Sequence, residues 1–189
     1  MKKVLLIGSK SQLSREIEKI LKKKNYKILK ISRNNIDFIK NNSSKLLFKF
    51  LNKTEPDYII NCIGIFESNT TEFSKIFNVN CKPSWDLVKY FISNINKKVK
   101  IMFVGSSAHN QKRKNYILYT ASKASLNSIA KSAMELFKNT SVKIYIIHPP
   151  AMKSKMRKKF FIKNTGLKSK STEVEPKIVA DKILKKLKI

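Results

Sequence analysis

Cysteine is scarce in this sequence. The 189 residues include two cysteines, Cys62 and Cys81, and two histidines, His109 and His148. No second cysteine pair is present, and the spacing of these four residues matches no metal-binding pattern. The sequence therefore supports neither a disulfide framework nor a zinc site, and we predict no bound metal. Two cysteines without a disulfide framework fit a reducing compartment, so we expect a cytoplasmic protein.

Long hydrophobic runs are also missing. A helix that crosses a bilayer needs about 20 consecutive apolar residues, and no segment of this chain approaches that length. The N-terminus, MKKVLLIG, places two lysines before an apolar run, as a signal peptide does. That run is shorter than the apolar region of a signal peptide. We therefore expect a soluble protein with no membrane partner.

Acidic residues are few, since 12 Asp and Glu stand against 41 Lys and Arg, and the net charge is +29. A chain this basic is expected to bind polyanions at low salt whatever its function. No helix-turn-helix, zinc-finger or RNA-binding signature accompanies the charge, and lysines occur in every segment beside abundant asparagine and isoleucine. We favour a compositional origin for the charge and predict no specific nucleic-acid partner. A polyanion-binding protein is the alternative.

A chemically distinctive segment spans residues 100–126, KIMFVGSSAHNQKRKNYILYTASKASL. Its apolar start predicts a buried strand that ends beside Ser106, and a helix is predicted after it. Tyr119 and Lys123 are four residues apart on that helix and therefore share one face. Because a neighbouring cation favours the phenolate, we expect Lys123 to lower the pKa of Tyr119 toward neutrality. The alternative interpretation is a half-buried aromatic residue beside a solvated lysine.

The Gly-Ser-Ser segment followed by YTASK resembles the active-site core of the short-chain dehydrogenase/reductase family. The resemblance implies an NAD(P)-binding Rossmann fold in which Ser106, Tyr119 and Lys123 are catalytic. In the family the serine orients and polarises the carbonyl oxygen of the substrate, and the tyrosine transfers a proton. The resemblance also implies that Lys123 holds the nicotinamide ribose.

An upstream segment, IFNVNCKPSWDLV, resembles the family's helix that carries a catalytic asparagine. By register that residue is Asn80, and Asn78 is the competing candidate. In the family this asparagine bends the helix and holds a water that links the active-site lysine to solvent. Pro83 is compatible with such a local break. Without the resemblance, either asparagine would be read as a surface cap or a solvated residue.

The first strand and helix predict a phosphate-binding turn. Residues Lys3–Ile7 form an apolar run, Gly8 ends it, and Ser11 is available to cap a helix that follows. The family pattern is Gly-x-x-x-Gly-x-Gly, and here Gln12 and Ser14 replace the second and third glycines. We expect these side chains to crowd the cofactor phosphates or the helix packing. The predicted cofactor contacts in this turn are Gly8, Ser9, Ser11 and Leu13.

A basic residue, Arg33, follows the second predicted strand, Tyr26–Ile31. In the family an acidic residue here binds the ribose hydroxyls of NAD, whereas a basic residue suits the 2′-phosphate of NADP. We therefore predict NADP as the cofactor, with NAD possible. Alternatively, Arg33 is a solvated arginine. Asp37 matches the family's aspartate beside the adenine.

Further cofactor contacts are implied after two later strands. The segment NCIG resembles the family's Asn-Asn-Ala-Gly segment. In it, Asn61 would tie the central strand to its neighbours by hydrogen bonds, and Gly64 would let the backbone approach the cofactor. After the strand Val142–Ile147, Pro149 resembles the start of the family's Pro-Gly turn. Ser154 would then supply the hydroxyl that contacts the nicotinamide carboxamide.

The order of apolar strands and amphipathic helices predicts one domain over residues 1–189. We expect a doubly wound parallel α/β sheet of about six strands in the order 3-2-1-4-5-6, with helices on both faces. The third strand would lie in the short NIDF segment around Asp37. The predicted helices are Gln12–Lys24, Asn42–Lys53, Thr70–Ile95, 116–138 and Pro176–Leu187. Because residues 116–138 are rich in small residues and the family pairs this helix across a two-fold axis, we expect a homodimer or higher homo-oligomer.

Residues 150–175 predict a basic loop, which in the family is the mobile substrate lid. Its lysines and arginine, together with Phe160 and Phe161, suit an anionic substrate. A solvated loop in a basic protein is the alternative. The loop therefore predicts a small anionic carbonyl or alcohol substrate without identifying it.

Together the motifs imply an oxidoreductase. The expected reaction is reversible NADP(H)-dependent hydride transfer to or from a carbonyl compound or secondary alcohol, with Tyr119 as acid and base. Asn80 would complete a proton route to solvent. The alternative function is a catalytically weak or inactive dinucleotide-binding regulatory protein of the same fold.

Overall fold

The computed structural model describes residues 1–68, 71–158, 160 and 173–189. The strands are β1 (Lys3–Ile7), β2 (Lys27–Ile31), β3 (Tyr58–Asn61), β4 (Val99–Val104) and β5 (Val142–Ile147). The helices with defined bounds are α1 (Gln12–Lys23), α2 (Ser43–Thr54), α3 (Phe73–Asn80), α4 (Lys82–Ile92), α5 (Ile117–Leu136) and α6 (Pro176–Leu187). A short 3-10 helix, Ser107–Asn110, follows β4. None of the helices in these residues combines the length and the apolar character needed to cross a membrane.

The strands of the described chain form one parallel five-stranded sheet in the order β2-β1-β3-β4-β5. At its centre, Leu5 of β1 lies between Leu29 of β2 and Ile59 of β3. The chain first adds β2 on one side of β1 and then crosses to add β3, β4 and β5 on the other side. The sheet is therefore doubly wound, and the predicted Rossmann-like α/β class is confirmed.

Both faces of the sheet are covered by helices. On β1, Leu5 and Ile7 pack in a core cluster with residues of α2, α4 and α5. Val4 and Leu6 point the other way and pack with residues of α1 and α6. All four side chains are fully buried. Burial on both faces explains why the strands read as continuous apolar runs instead of alternating apolar and polar residues.

The prediction of about six strands was wrong by one for the described residues. Between β2 and α2, residues 32–42 fold as turns, and the NIDF segment buries Ile36 and Phe38 in the core without pairing as a strand. The backbone N–H of Ser32 donates to the side-chain oxygen of Asn35 at 2.9 Å, which fixes the first turn. A parallel crossover needs about a dozen residues or more, so this short segment has no room for both a crossover and a strand.

The predicted helix over Thr70–Ile95 is interrupted. Thr70 lies outside the described residues, α3 begins at Phe73, and the helical path breaks at Cys81 before α4 begins. Pro83 occupies the first turn of α4, where its missing N–H removes no helical hydrogen bond. The break leaves Asn80 at the end of α3 with only 1% of its surface exposed.

The carboxyl ends of the strands meet at one edge of the sheet. Gly8 follows β1, Gly64 lies just beyond β3, and Ser106 follows β4. β1 and β3 are neighbours in the sheet although β2 lies between them in the sequence. Such a topological switch point leaves a crevice between loops that leave the sheet in opposite directions, and open α/β sheets bind their ligands there.

We predict that Phe103→Ala destabilises the fold by about 3–5 kcal/mol, because it removes a fully buried ring from a central strand and leaves a cavity. Leu46→Ala is the control, since Leu46 lies on α2 with 39% of its surface exposed, and its cost should be about 0.5 kcal/mol or less. Urea unfolding of both variants measures the difference. Equal destabilisation by the two substitutions would contradict the assignment of Phe103 to the core.

Candidate active site

Tyr119 lies where two cavities meet at the carboxyl edge of the sheet. One is a groove of about 530 Å³ that begins at the turn after β1, and the other is a cavity of about 650 Å³ beside the turn after β4. Tyr119 and Gly105 line both. The Ser106 side chain lies in the second cavity and interacts with the Tyr119 phenol. A group that reacts at this phenol can therefore be reached from both sides.

Lys123 is buried beside the tyrosine. It is 4% exposed, and its Nζ lies 5.9 Å from the centroid of the Tyr119 ring. Nζ donates to the backbone carbonyl of Val104 at 3.5 Å, and no carboxylate in the described residues pairs with it. Burial lowers the pKa of Lys123 to about 8, because a dry environment disfavours the charged form.

Asn80, and not Asn78, reaches this centre. Its side-chain oxygen accepts from the Ile65 backbone N–H at 2.8 Å, and its Nδ2 donates to the Ile65 carbonyl at 3.1 Å and to Ser122 Oγ at 2.9 Å. A Cβ atom at Gly64 would lie 3.3 Å from both Asn80 Oδ1 and Lys123 Nζ. Glycine at this position therefore leaves the room that the asparagine and the lysine occupy together.

Aromatic rings surround the phenol of Tyr119. The ring of Phe66 lies 4.6 Å from that of Tyr119 and 4.9 Å from that of Tyr116, centroid to centroid. Phe160 stacks on Phe66 at 3.9 Å and meets Tyr116 edge-on at 5.5 Å, centroid to centroid. This aromatic cluster of Phe66, Tyr116, Tyr119 and Phe160 removes water from around the phenol.

The pKa of Tyr119 moves upward, which is opposite to the predicted direction. Burial raises it most, a side-chain interaction with Ser106 lowers it, Tyr116 raises it, and the charge of Arg157 lowers it. The expected lowering by Lys123 is wrong for this arrangement, because desolvation by the aromatic cluster dominates. The cation that opposes this desolvation is Arg157, which lies in the segment after β5.

The groove after β1 contains most of the residues predicted to contact a cofactor. Those that line it are Gly8, Ser11, Leu13, Arg33, Asp37, Gly64, Lys123 and Ser154. Gly8 has a φ of 80°, and a Cβ there would lie 2.9 Å from the Ile63 backbone. The turn therefore requires glycine at this position. Ser9, Asn61 and Pro149 do not line the groove.

Comparison with known proteins gives the family. The family model for short chain dehydrogenases matches residues 2–165. The chain belongs to the short chain dehydrogenase family. It is therefore an oxidoreductase of the short-chain dehydrogenase/reductase class. A search of curated proteins found no match.

Solved structures share the fold. A short-chain dehydrogenase from Sphingobium yanoikuyae in complex with NADPH has a TM-score of 0.86 at 12% identity, over 100% of this chain and 85% of that one. ElxO with NADP bound has a TM-score of 0.80 at 20% identity, over 97% and 90%. The 3-alpha-hydroxysteroid dehydrogenase from Pseudomonas sp. B-0831 complexed with NADH has a TM-score of 0.80 at 14% identity, over 96% of this chain and 88% of that one. At these identities the likeness describes the fold alone.

This short-chain dehydrogenase accommodates two side chains where the family has glycine. Ser14 is fully buried, and its hydroxyl donates to the Gly8 carbonyl at 3.0 Å. Ser11 caps α1 by accepting from the Ser14 backbone N–H at 3.1 Å. Gln12 extends to the segment after β5, where its side-chain oxygen accepts from the backbone N–H of Lys155 at 2.7 Å. Ser14 thus closes the turn internally, and Gln12 links the turn to residue 155.

Three predicted cofactor residues have other partners. Arg33 Nε pairs with Asp37 Oδ2 at 3.1 Å, but Arg33 is largely exposed, so this pair is weak. Asn61 donates to Ser84 Oγ on α4 at 2.9 Å and accepts from the Ile63 N–H. The expectation that Asn61 joins neighbouring strands was wrong, because α4 packs closely enough over the end of β3 to take its amide.

Three further predicted cofactor residues, Pro149 and Ser154 after β5 and Ser9 after β1, take part in hydrogen bonds within the chain. Pro149 lines the second cavity, and its carbonyl accepts from the Ser107 N–H at 3.0 Å. Ser154 lines both cavities, and its hydroxyl accepts from the Arg157 N–H at 3.1 Å. The Ser9 N–H donates to the Ile31 carbonyl, so this amide is used within the sheet edge. Ser154 is thus a helix cap that also faces the site.

The predicted basic lid, residues 150–175, is described in part. Residue 159 and residues 161–172 lie outside the described residues, and the lid residues Lys159, Phe161, Lys163, Lys168 and Lys170 fall among them. At its base, Met152 pairs with Val174 in an isolated parallel bridge. Arg157 Nε pairs with Glu173 Oε1 at 2.7 Å, and Lys153 pairs with Glu175. These contacts join the two ends of the segment beneath the aromatic cluster.

The cysteines take no part in chemistry at this site. Cys62 lines the groove, and burial raises its pKa to about 12. Burial also raises the pKa of Cys81, to about 11. Both are free and stay protonated at neutral pH, so neither is an activated nucleophile. In the part of the chain that the structure describes, no group of three His, Cys, Asp or Glu side chains converges on a metal position.

Several lining residues were missed from the sequence. Phe66 lies two residues after Gly64, and the basic residues Lys112, Arg113 and Lys114 lie between Ser106 and Tyr119. The signal available was the run QKRKNY immediately before the Tyr119 helix. Its position between two expected catalytic residues indicates that it borders the substrate side.

We predict that Arg157→Gln raises the pKa of the Tyr119 phenol further, because it removes a cation that favours the phenolate. Glu173→Gln is the matched control, since it breaks the same ion pair but keeps the cation, and it should not raise that pKa. Ultraviolet absorbance titration measures the effect, with the Tyr119→Phe form of each variant subtracted to isolate this phenol. An unchanged titration in Arg157→Gln would exclude Arg157 as the cation that acts on Tyr119.

Proposed function

We propose that the protein catalyses reversible NADP(H)-dependent hydride transfer to or from a carbonyl compound or secondary alcohol. The observation that carries the proposal is the position of Tyr119 at the junction of the groove and the second cavity. A phenol at that junction can exchange a proton with a substrate on one side while the substrate carbon faces a nicotinamide on the other. The family membership supports the same reaction.

Two features of the groove fit a dinucleotide. Gly8 adopts a left-handed conformation that brings the backbone close to Ile63 and opens the turn before α1. Lys123 is a buried cation without an acidic partner in the described residues, which suits hydrogen bonds to ribose hydroxyls. We infer that the turn from Gly8 to Leu13 holds the phosphates, Asp37 lies near the adenine, and Ser154 contacts the nicotinamide end.

Arg33 favours NADP over NAD in this proposal. It is exposed at the groove, and a guanidinium binds a 2′-phosphate through paired hydrogen bonds. Its present partner, Asp37, is bound weakly enough to be exchanged. ElxO and the Sphingobium yanoikuyae enzyme have NADP or NADPH bound, and the steroid dehydrogenase has NADH. NAD therefore remains the second candidate.

The chain's own residues account for the proton transfer. A bound nicotinamide supplies or accepts the hydride. In the reduction direction, Tyr119 donates a proton to the carbonyl oxygen, and the Ser106 hydroxyl orients that oxygen. Lys123 holds its positive charge near the phenolate that forms, and Asn80 fixes the backbone at Ile65 beside it. The raised pKa of Tyr119 keeps the phenol protonated before the reaction.

A regulatory dinucleotide-binding protein is the second candidate function. It is favoured by Gln12 at the phosphate turn and by the close packing of Phe66 against Tyr119. In such a protein the cofactor would bind in the groove without turnover. Binding of NADPH with no oxidation by any carbonyl compound would support it.

We further propose a homodimer in the cytoplasm and a small anionic substrate. α5 is rich in small residues and exposes Met134 and Leu136, and neighbouring α4 exposes Trp85. Burial of such apolar surface between copies would stabilise a dimer. The free cysteines suit a reducing compartment. The basic residues Lys153, Lys155 and Lys158 after β5 favour an anionic substrate.

We predict that Tyr119→Phe lowers kcat by about 10²–10⁴-fold, because it removes the proton donor while leaving the ring in the aromatic cluster. NADPH affinity should change little, since the phenol contributes one hydroxyl to the groove. Tyr116→Phe removes a hydroxyl from the neighbouring tyrosine and should affect kcat far less. Steady-state kinetics and NADPH fluorescence titration measure the two quantities. Full activity in Tyr119→Phe would rule out the mechanism.

A further inference from the structure

The second cavity is basic on one side and apolar on the other. Among the described residues that line it, the cations are Lys112, Arg113, Lys114 and Arg157, and none is acidic. The groove differs, since Asp37 and Glu67 line it together with its cations. The described walls of the second cavity thus carry cations without acidic side chains, whereas those of the groove carry both.

The basic side is reinforced by the start of α5. Lys112, Arg113 and Lys114 are consecutive residues before the helix, and Tyr116 at its N-cap provides no side-chain hydrogen bond to the first turn. No acidic residue lies in that turn. The positive end of the helix dipole therefore adds to the three cations at this wall, and both favour a bound anion. Arg157 adds a cation from the opposite segment, although Glu173 partly neutralises it.

The apolar side is built from rings and thioethers. Phe66 and Tyr116 line the cavity, and Phe160 stacks behind Phe66 and supports it. Met152 and Met156 line the same cavity as Tyr119. Methionine side chains adapt to the shape of an apolar ligand. This wall favours a hydrocarbon or aromatic group and offers few partners to the hydroxyls of a sugar.

We propose that the substrate is amphipathic: an apolar carbonyl compound, or the corresponding alcohol, that carries one carboxylate or phosphate. Lys112, Arg113 and Lys114 bind the anionic group, and Phe66, Met152 and Met156 contact the apolar body. The carbonyl then lies between these sides at Tyr119 and Ser106. The inference rests on the proposed hydride transfer, in which the carbonyl is reduced by NADPH and takes its proton from Tyr119.

Three matched probes test the two requirements with the full chain and NADPH. The acid 4-oxo-4-phenylbutanoate has both features, its methyl ester lacks the charge, and 4-oxopentanoate lacks the apolar ring. We expect kcat/KM for the phenyl acid to exceed that for each of the other two by about tenfold or more. An ester used as well as the acid, or 4-oxopentanoate used as well as the phenyl acid, would overturn the inference while leaving the proposed function intact.

Charge variants assign the anion site. The triple variant Lys112→Gln, Arg113→Gln, Lys114→Gln should lose about tenfold or more in kcat/KM for the phenyl acid but not for its ester. Lys45→Gln, Lys49→Gln, Lys53→Gln is the control, because it removes three exposed cations from α2 and gives the same net charge. The control variant should prefer the phenyl acid over its ester as the wild type does. Both triple variants should bind NADPH with wild-type affinity. Equal losses in the two triple variants would show a general charge effect and contradict the site.

Calorimetry separates this inference from the proposed reaction. With NADP present, 4-phenylbutanoate and phenyl phosphate are non-reducible ligands that carry a carboxylate and a phosphate. The tighter of the two identifies the anion, and its affinity should fall in the cavity triple variant but not in the control. Such binding without turnover of any carbonyl probe would refute the proposed function and leave the ligand class standing. No binding of either ligand would refute the ligand class.

Discussion

A buried ammonium that pairs with no carboxylate of the described residues is the constraint on which this candidate site depends. Lys123 reaches the end of β4, where its contact is the carbonyl of Val104. An ammonium in a dry site costs free energy unless other groups compensate it, and burial accordingly lowers its pKa to about 8. Gly64 leaves the space for the amino group, and Asn80 holds the adjoining backbone. The end of β4, the break between α3 and α4, and helix α5 thus meet around the ammonium group of Lys123.

The turn after β1 and the segment after β5 are physically connected in this protein. Gln12 stands where the family has glycine, and its side chain satisfies the backbone N–H of Lys155. Ser14 satisfies the Gly8 carbonyl from inside the turn. The same segment carries Arg157, whose charge acts on the Tyr119 phenol. The residues that shape the groove therefore also help to place the cation that influences the Tyr119 phenol.

The sheet could be predicted from the sequence because helices cover both of its faces. Each strand is therefore a continuous apolar run that is visible in the sequence on its own. The juxtaposition of Tyr119 and Lys123 was equally local, since residues four apart share a helix face. The predictions that were wrong concerned features that depend on packing between elements distant in the sequence. The turns at residues 32–42 replace a strand because the segment is short, and Asn61 bonds to Ser84 of a helix that packs over it. The raised pKa of Tyr119 could not be predicted from the sequence, because it depends on the packing of Phe66 against the Tyr119 ring.

The most direct test of the account is NADPH affinity in Lys123→Met, measured by fluorescence titration. Methionine keeps most of the buried volume and removes the charge. The account predicts that NADPH binds about tenfold or more weakly than to the wild type, since a charged hydrogen bond to the ribose is lost. The thermal midpoint should not fall, because the substitution removes a buried cation that pairs with no carboxylate of the described residues. A stable Lys123→Met protein that binds NADPH as tightly as the wild type would contradict the account.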